Sequence, residues 1–171
     1  MIRYIADEEH YAAVLSRAAG VKNFLWIGTA DIKDLYIEGG GRLQPFLVLI
    51  EQLLSRGVNV RLIHAKEPGP NFRADFDKLP RLYGGLERVL CPRVHFKLMI
   101  FDGSLAYIGS ANLTGAGMGM KSAARRNFEA GLLTDEPILV EQAMTHFDRV
   151  WTGLYCSGCG RRDICPDPIS V

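Results

Sequence analysis

Hydrophobic and polar positions change period several times along the chain. Between residues 8 and 19, Tyr11, Val14, Leu15 and Ala18 recur at helical spacing and Gly20 stops the run, which predicts a helix. The apolar run from Phe24 to Thr29, after a turn-like Lys22-Asn23, predicts a buried strand. Residues 30–43 include Gly39-Gly40-Gly41 and predict a loop. Pro45 opens a helix that runs to about Arg56, with Gly57 as its stop, and Val58 to Ile63 alternates as a second strand. Residues 64–85, rich in Pro, Gly and charge, predict an irregular segment with one helical turn near Phe76.

Leu86 to Cys91 reads as a third strand. Phe96 to Phe101 and Leu105 to Gly109 flank Asp102-Gly103, a hairpin signal. Phe128 to Leu133 predicts another strand, and Glu136 to Trp151 a helix that packs through Ile138, Val140, Ala143, Phe147 and Val150. Helices between strands that are apolar on both faces predict an α/β sandwich with a covered sheet.

Length and composition narrow the class. The 171 residues suit one domain, and 48% hydrophobic with 23% charged residues gives a packed core rather than disorder. No apolar run is long enough to span a bilayer, and the start, MIRYIADEEH, carries acids where a signal peptide is apolar. A cytoplasmic location is the expectation. The net charge is only +1, but residues 59–97 carry +4 while residues 135–171 carry −3. The middle of the chain is locally cationic.

The hairpin concentrates the chemistry. With Asp102-Gly103 as a two-residue turn, Phe101 pairs with Ser104 and His95 lies opposite Ser110. Alternation then puts His95, Lys97, Ser110 and Asn112 on one face, with Ser104, Ala106 and Ile108 beside them. An imidazole, an ammonium, a hydroxyl and an amide together suit a tetrahedral phosphate: charge, neutral donors and a nitrogen nucleophile. With Asp102 at the turn, no carboxylate on this face is expected to hold magnesium, which favours a metal-free route.

His95-Phe96-Lys97, four residues to Asp102, then six to Gly109-Ser110-Ala111-Asn112, resembles the HxKx4Dx6GSxN signature of the phospholipase D superfamily, with every fixed position filled. Asn127-Phe128-Glu129 resembles the family's downstream strand, whose Glu orients the histidine. The resemblance covers residues 1–152. It implies a mixed β-sheet flanked by helices; the short Cys-rich tail at 153–171 lies outside it and is expected to pack on the same domain.

It also implies a two-step displacement. His95 attacks phosphorus to form a phosphohistidine, and a second histidine protonates the leaving oxygen and then activates water. Glu129 accepts the other ring N–H, and Lys97, Ser110 and Asn112 hold the phosphoryl oxygens. Asp102 belongs to the signature, though its turn position points to a structural role. His10, His64 and His146 are not followed by the pattern seen after His95. A homodimer in which each chain donates one His95 is therefore expected.

Cys156, Cys159 and Cys165 follow the spacing C-x2-C-x5-C, and Cys91 lies four residues before His95. A structural zinc site of four thiolates is the leading expectation, with an iron–sulfur centre or free thiols as alternatives; catalysis itself requires no cofactor. Such a site would draw Arg161 and Arg162 toward His95. Of three functional readings, a nuclease comes first. Arg73, Lys78, Arg81, Arg88 and Arg93 precede the signature and Lys121, Arg125 and Arg126 follow it; Arg93, Lys121, Arg125 and Arg126 are the expected substrate contacts. A lipid phosphodiesterase is weaker, with only Leu113, Met118 and Met120 as an apolar membrane contact. A non-catalytic nucleic-acid-binding module conflicts with the intact signature.

Overall fold

The computed structural model describes residues 1–33 and 35–169; residue 34, in the segment expected to be a loop, lies outside them. In chain order the elements are β1 (Ile2–Ala6), α1 (Glu9–Ala13), β2 (Phe24–Thr29), β3 (Tyr36–Gly39), β4 (Arg42–Pro45), α2 (Phe46–Ser55), β5 (Asn59–His64), α3 (Pro70–Asp77), α4 (Pro80–Gly85), β6 (Leu86–Leu90), β7 (Lys97–Phe101), β8 (Leu105–Gly109), β9 (Ala130–Thr134) and α5 (Pro137–Trp151). Seven strands form one mixed sheet in the order β1-β9-β8-β7-β2-β5-β6. β2, β5 and β6 run parallel, as expected where α2 and then α3–α4 carry the chain across, while β7, β8, β9 and β1 join antiparallel. Among the described residues no helix is long and apolar enough to cross a membrane.

Alternation along each strand feeds two cores. Leu25 and Ile27 of β2, Val60 and Leu62 of β5, and Met99 and Phe101 of β7 pack with α1 to α4. Ile63, Leu98, Ile100 and Ala106 pack on the other face with Val140, Ala143 and Phe147 of α5. Both faces of the central strands are covered, which explains their near-continuous apolar runs.

Several expectations shift. The helix over 8–19 becomes α1 followed by a 3-10 turn at Leu15–Gly20, although Val14, Leu15 and Ala18 are buried as the spacing required. The loop at 30–43 contains the β3–β4 hairpin, turned by Gly40 and Gly41 at φ 62° and 77°. The irregular stretch at 64–85 holds two helices, each opened by a proline at its first turn, Pro70 and Pro80. β1 pairs with β9 and had no prior expectation.

The hairpin register also differs by one. Asp102 and Gly103 take φ values of 52° and 66°, and the Ser104 N–H donates to Phe101 O at 3.1 Å, so the tight turn forms. Ser104 is then an extra residue before pairing resumes at Phe101 with Leu105, which places Lys97 opposite Gly109. Lys97 therefore shares a face with Tyr107 and Gly109, while Ala106 faces α5.

Candidate active site

The polar residues of the signature meet because strand ends meet. The first residue of β7 lies level with the last of β8, and β8 ends where β9 begins. His95 and Phe96 precede β7, Ser110 and Asn112 follow β8, and Glu129 precedes β9. These positions adjoin the carboxyl end of β2, and His95 and Asn112 line a cleft of about 650 Å³ with Asp31, Lys66, Arg93 and Arg161. A crevice at the carboxyl ends of parallel strands is where open α/β sheets bind ligands.

Lys97 is only 8% exposed and its Nζ spans the histidine, 2.7 Å from His95 O and 3.2 Å from Nδ1. An ammonium can only donate, so a hydrogen bond between the two requires Nδ1 without a proton. Burial lowers the Lys97 pKa from its ordinary value, and the Glu129 carboxylate opposes that shift. Ser110 Oγ donates to Glu129 Oε2 and accepts the Ala130 N–H at 3.0 Å; Asn127 Nδ2 donates to Glu129 Oε1 at 3.0 Å. Glu129 thus meets Ser110 and Asn127 rather than the His95 ring, whose Nδ1 faces Lys97. Asn112 Oδ1 accepts from Thr29 Oγ1 and from the Asp31 N–H, each at 3.2 Å, which leaves its amide N–H donors for the cleft.

Backbone constraints explain parts of the signature. A side chain at Gly109 would put Cβ 2.3 Å from the Tyr107 hydroxyl, so this position must be glycine. Tyr107 is fully buried and its hydroxyl accepts the Ala111 N–H at 3.3 Å, tying down the loop that carries Ser110 and Asn112. Asp7, at φ 46°, brackets Glu129: its carboxylate accepts the Glu129 N–H at 3.0 Å and its own N–H donates to Glu129 O at 3.0 Å. Tyr107, Thr29, Asp7 and Lys66 were absent from the sequence reading. Each lies far in sequence or one strand-step from the signature, with no spacing rule to mark it.

Asp102 is not in the cleft. Five residue steps of extended chain, about 17 Å, separate it from Lys97. Its carboxylate accepts the N–H groups of Lys22 (3.0 Å), Asn23 (2.7 Å) and Phe24 (3.0 Å) and clamps the start of β2. Burial pushes its pKa up, but the three N–H groups prevail and hold the carboxyl below the ordinary Asp value. Asp102, a signature residue whose turn position points to a structural role, clamps the backbone.

Of the expected substrate contacts, Arg93 lines the cleft. Arg126 instead pairs with Glu8, and Lys121 lies against Gly115 on the loop before β9. Arg125 is exposed on that same loop. A carboxylate does reach the cleft, contrary to expectation: Asp31, whose Oδ2 lies 3.5 Å from Lys33 Nζ. The register argument considered only the hairpin and could not see β2.

The other histidines are engaged elsewhere. His10 is buried, with Nδ1 2.8 Å from Asp7 O and its ring edge-on to Tyr107. His64 ends β5 rather than lying in a loop; Nδ1 meets Lys66 O at 2.7 Å and Nε2 accepts from Arg88 Nε at 2.8 Å. Burial, reinforced by Arg88, holds its pKa down to about 4. His146 packs against Phe96 on the α5 side. Cys91, Cys156, Cys159 and Cys165 are all free thiols around one small void next to the cleft; as they are oriented, no three metal-ligating groups among the described residues meet closely enough to hold an ion.

Comparison with known proteins places this geometry in a family. Residues 28–151 match the family described as cardiolipin synthase, PLD-like domain. The fold is similar to Nuc, a phospholipase D family member from Salmonella typhimurium, at 18% identity and a TM-score of 0.64, covering 88% of this chain and 93% of that one. It is similar to NucT from Helicobacter pylori at 16% identity and a TM-score of 0.63, covering 88% and 96%. TrmBL2, an archaeal chromatin protein with a novel mode of DNA binding, matches at 15% identity and a TM-score of 0.60, over 88% of this chain and 51% of its own. No curated protein matches in sequence. With the family's domain spanning nearly three quarters of its length, the chain belongs to the phospholipase D superfamily of phosphodiesterases.

Proposed function

We propose that the chain is a nuclease that acts as a homodimer through a phosphohistidine intermediate. The observation that carries this reading is His95 in a cleft with Lys66, Arg93 and Arg161, while each remaining histidine is committed elsewhere. Three cations along a cleft match a polyanionic strand, and they supply positive charge to the phosphoryl oxygens without a metal.

The second imidazole comes from a second copy. An apolar row, Tyr4, Leu132 and Ile108, runs across β1, β9 and β8 on the same side of the sheet as α5 and is exposed at each position, and Phe128 beside Glu129 is 94% exposed. That row is the seat for the partner chain. In one protomer the neutral His95 Nε2 attacks phosphorus as the P–O bond to the leaving group breaks; the partner's His95, as an imidazolium, gives its Nε2 proton to that oxygen and becomes neutral. Water, deprotonated by the same partner histidine, then cleaves the P–N bond. Both copies need a proton on Nδ1, with Glu129 as its acceptor once Ser110 turns to substrate.

A bilayer substrate finds less support. Leu113 and Met118 are buried in the core and Met120 packs against it, so the expected membrane contact does not exist. The test is cleavage of labelled single-stranded oligonucleotides in chelator, beside cardiolipin and phosphatidylcholine vesicles, with folding followed by circular dichroism. Oligonucleotide cleavage with an acid-labile phosphoryl group on His95 is expected. Vesicle hydrolysis alone would assign a lipid substrate, and a fully active monomer would eliminate the shared site.

A further inference from the structure

The tail past α5 has little that could fold it. Its one regular element among the described residues is a 3-10 turn at Arg162–Ile164, and Leu154, Tyr155 and Ile164 are 59, 48 and 70% exposed. Hydrophobic burial on that scale does not offset the entropy of ordering the seventeen described residues, 153–169. Even so, the tail follows a fixed course back to the sheet. Arg161 Nη1 donates to Pro92 O at 2.8 Å, and the Leu90 N–H donates to Asp167 Oδ2 at 2.8 Å. This course brings Cys156, Cys159 and Cys165 up to Cys91, just past β6, and the four free thiols line a single void of about 20 Å³. Three guanidinium-bearing residues, Arg93, Arg161 and Arg162, line the same void.

We propose that Cys91, Cys156, Cys159 and Cys165 bind one zinc ion, which folds the tail and thereby carries Arg161 into the His95 cleft as a substrate-binding residue. Four thiolates at about 2.3 Å complete a tetrahedral zinc shell. Binding releases the four thiol protons and leaves a complex of charge −2, which the +3 of the three arginines around it more than offsets. The Cys156-to-Cys159 turn is closed by the Cys159 N–H on Cys156 O at 3.3 Å, which keeps these two residues together. Cys91 supplies the link to the sheet, two residues before Arg93 and four before His95.

The zinc stands independently of the catalytic reading, whereas the role of Arg161 rests on a phosphodiester-chain ligand. Elemental analysis of the full chain, purified under reducing conditions, is expected to give one zinc per chain, with four sulfurs in its X-ray absorption spectrum. Cys91→Ser and Cys156→Ser are each expected to lose the metal while α5 and the sheet still fold. Substoichiometric zinc in folded, reduced protein overturns the site, and so does iron with labile sulfide. Oligonucleotide affinity, read by fluorescence anisotropy, tests the second half. Arg161→Ala should keep its zinc and bind about tenfold more weakly, and the two cysteine variants should match that loss. Unchanged affinity in Arg161→Ala removes the positioning role and leaves the zinc. A wild-type chain that holds zinc and binds oligonucleotide without cleaving it leaves this inference standing and defeats the nuclease reading instead.

Discussion

At one end of β7, Lys97 and the preceding His95 approach a cationic cleft; at the other, five residues on, Asp102 closes a turn and grips the backbone of residues 22–24. The same sequence signature names both ends. The four residues between Lys97 and Asp102 are the rest of β7 and nothing else, and the six between Asp102 and Gly109 are the turn with β8. Much of the signature therefore measures a hairpin. Its spacing places a clamp at one end so that the other end can hold a fixed set of reacting groups.

Replacing the histidine should give the largest separation between the two ends. His95→Ala is expected to lower turnover by on the order of 10⁴-fold or more, as for other enzyme nucleophiles, with no change in melting temperature. Mixed dimers of this variant with wild-type chains should be nearly as impaired, since in the proposed mechanism one histidine attacks and the other donates. Turnover of co-purified, differently tagged chains measures this, and mixed dimers with half the wild-type activity would show that each His95 works alone. Lys97→Ala follows, with an expected loss of about 10²- to 10³-fold in kcat for removal of the ammonium that spans His95.

The clamp end should respond in the opposite sense. Asp102→Ala leaves three N–H groups at the start of β2 without their acceptor and should cost about 2 kcal/mol, roughly 5 °C in melting temperature for a chain of this size. Turnover by the folded protein should stay within a few-fold of wild type. The pH dependence follows from the lowered Asp102 pKa. A carboxyl whose folded pKa is depressed stabilises the fold above its unfolded value, near 4, and loses that contribution as pH falls through the folded value. The stabilities of wild type and Asp102→Ala should therefore converge below about pH 4 in denaturant titrations. A variant that melts normally but has lost turnover would make Asp102 part of the chemistry.

How much the sequence disclosed follows the same division. Apolar runs and turn residues marked β2, α2, β5, β6, the β7–β8 hairpin and α5, because each buries a face that the period reports. β1 carries exposed Ile2 and Tyr4 at the sheet edge and so reports no such period. The one-residue slip at Ser104 was invisible because Asp-Gly signals a tight turn but not the residue after it. His95, Lys97, Ser110 and Asn112 were legible because they are fixed by spacing within one hairpin. Asp7, Thr29 and Lys66 reach the site from β1, β2 and β5, and their placement depends on the strand order, which no local pattern encodes. Arg126 was misjudged for the same reason: its partner Glu8 is over a hundred residues away.

Tyr107 lies between the two ends and should mix their behaviour on a smaller scale. It belongs to β8, is fully buried, and uses its hydroxyl to hold the Ala111 N–H between Ser110 and Asn112. Burial raises its pKa to about 12, so it stays a neutral acceptor across the working range. Tyr107→Phe preserves the ring that fills the space beneath Gly109 and Gly131 and removes only that acceptor. The expected cost is about 1 kcal/mol in stability, with a few-fold fall in kcat as the loop after β8 loosens. Thermal melts and initial rates on the same preparation measure both. A fall in one quantity without the other would assign Tyr107 wholly to one end of the hairpin, and would mean that the Ser110–Asn112 loop is held by Thr29 and Glu129 alone.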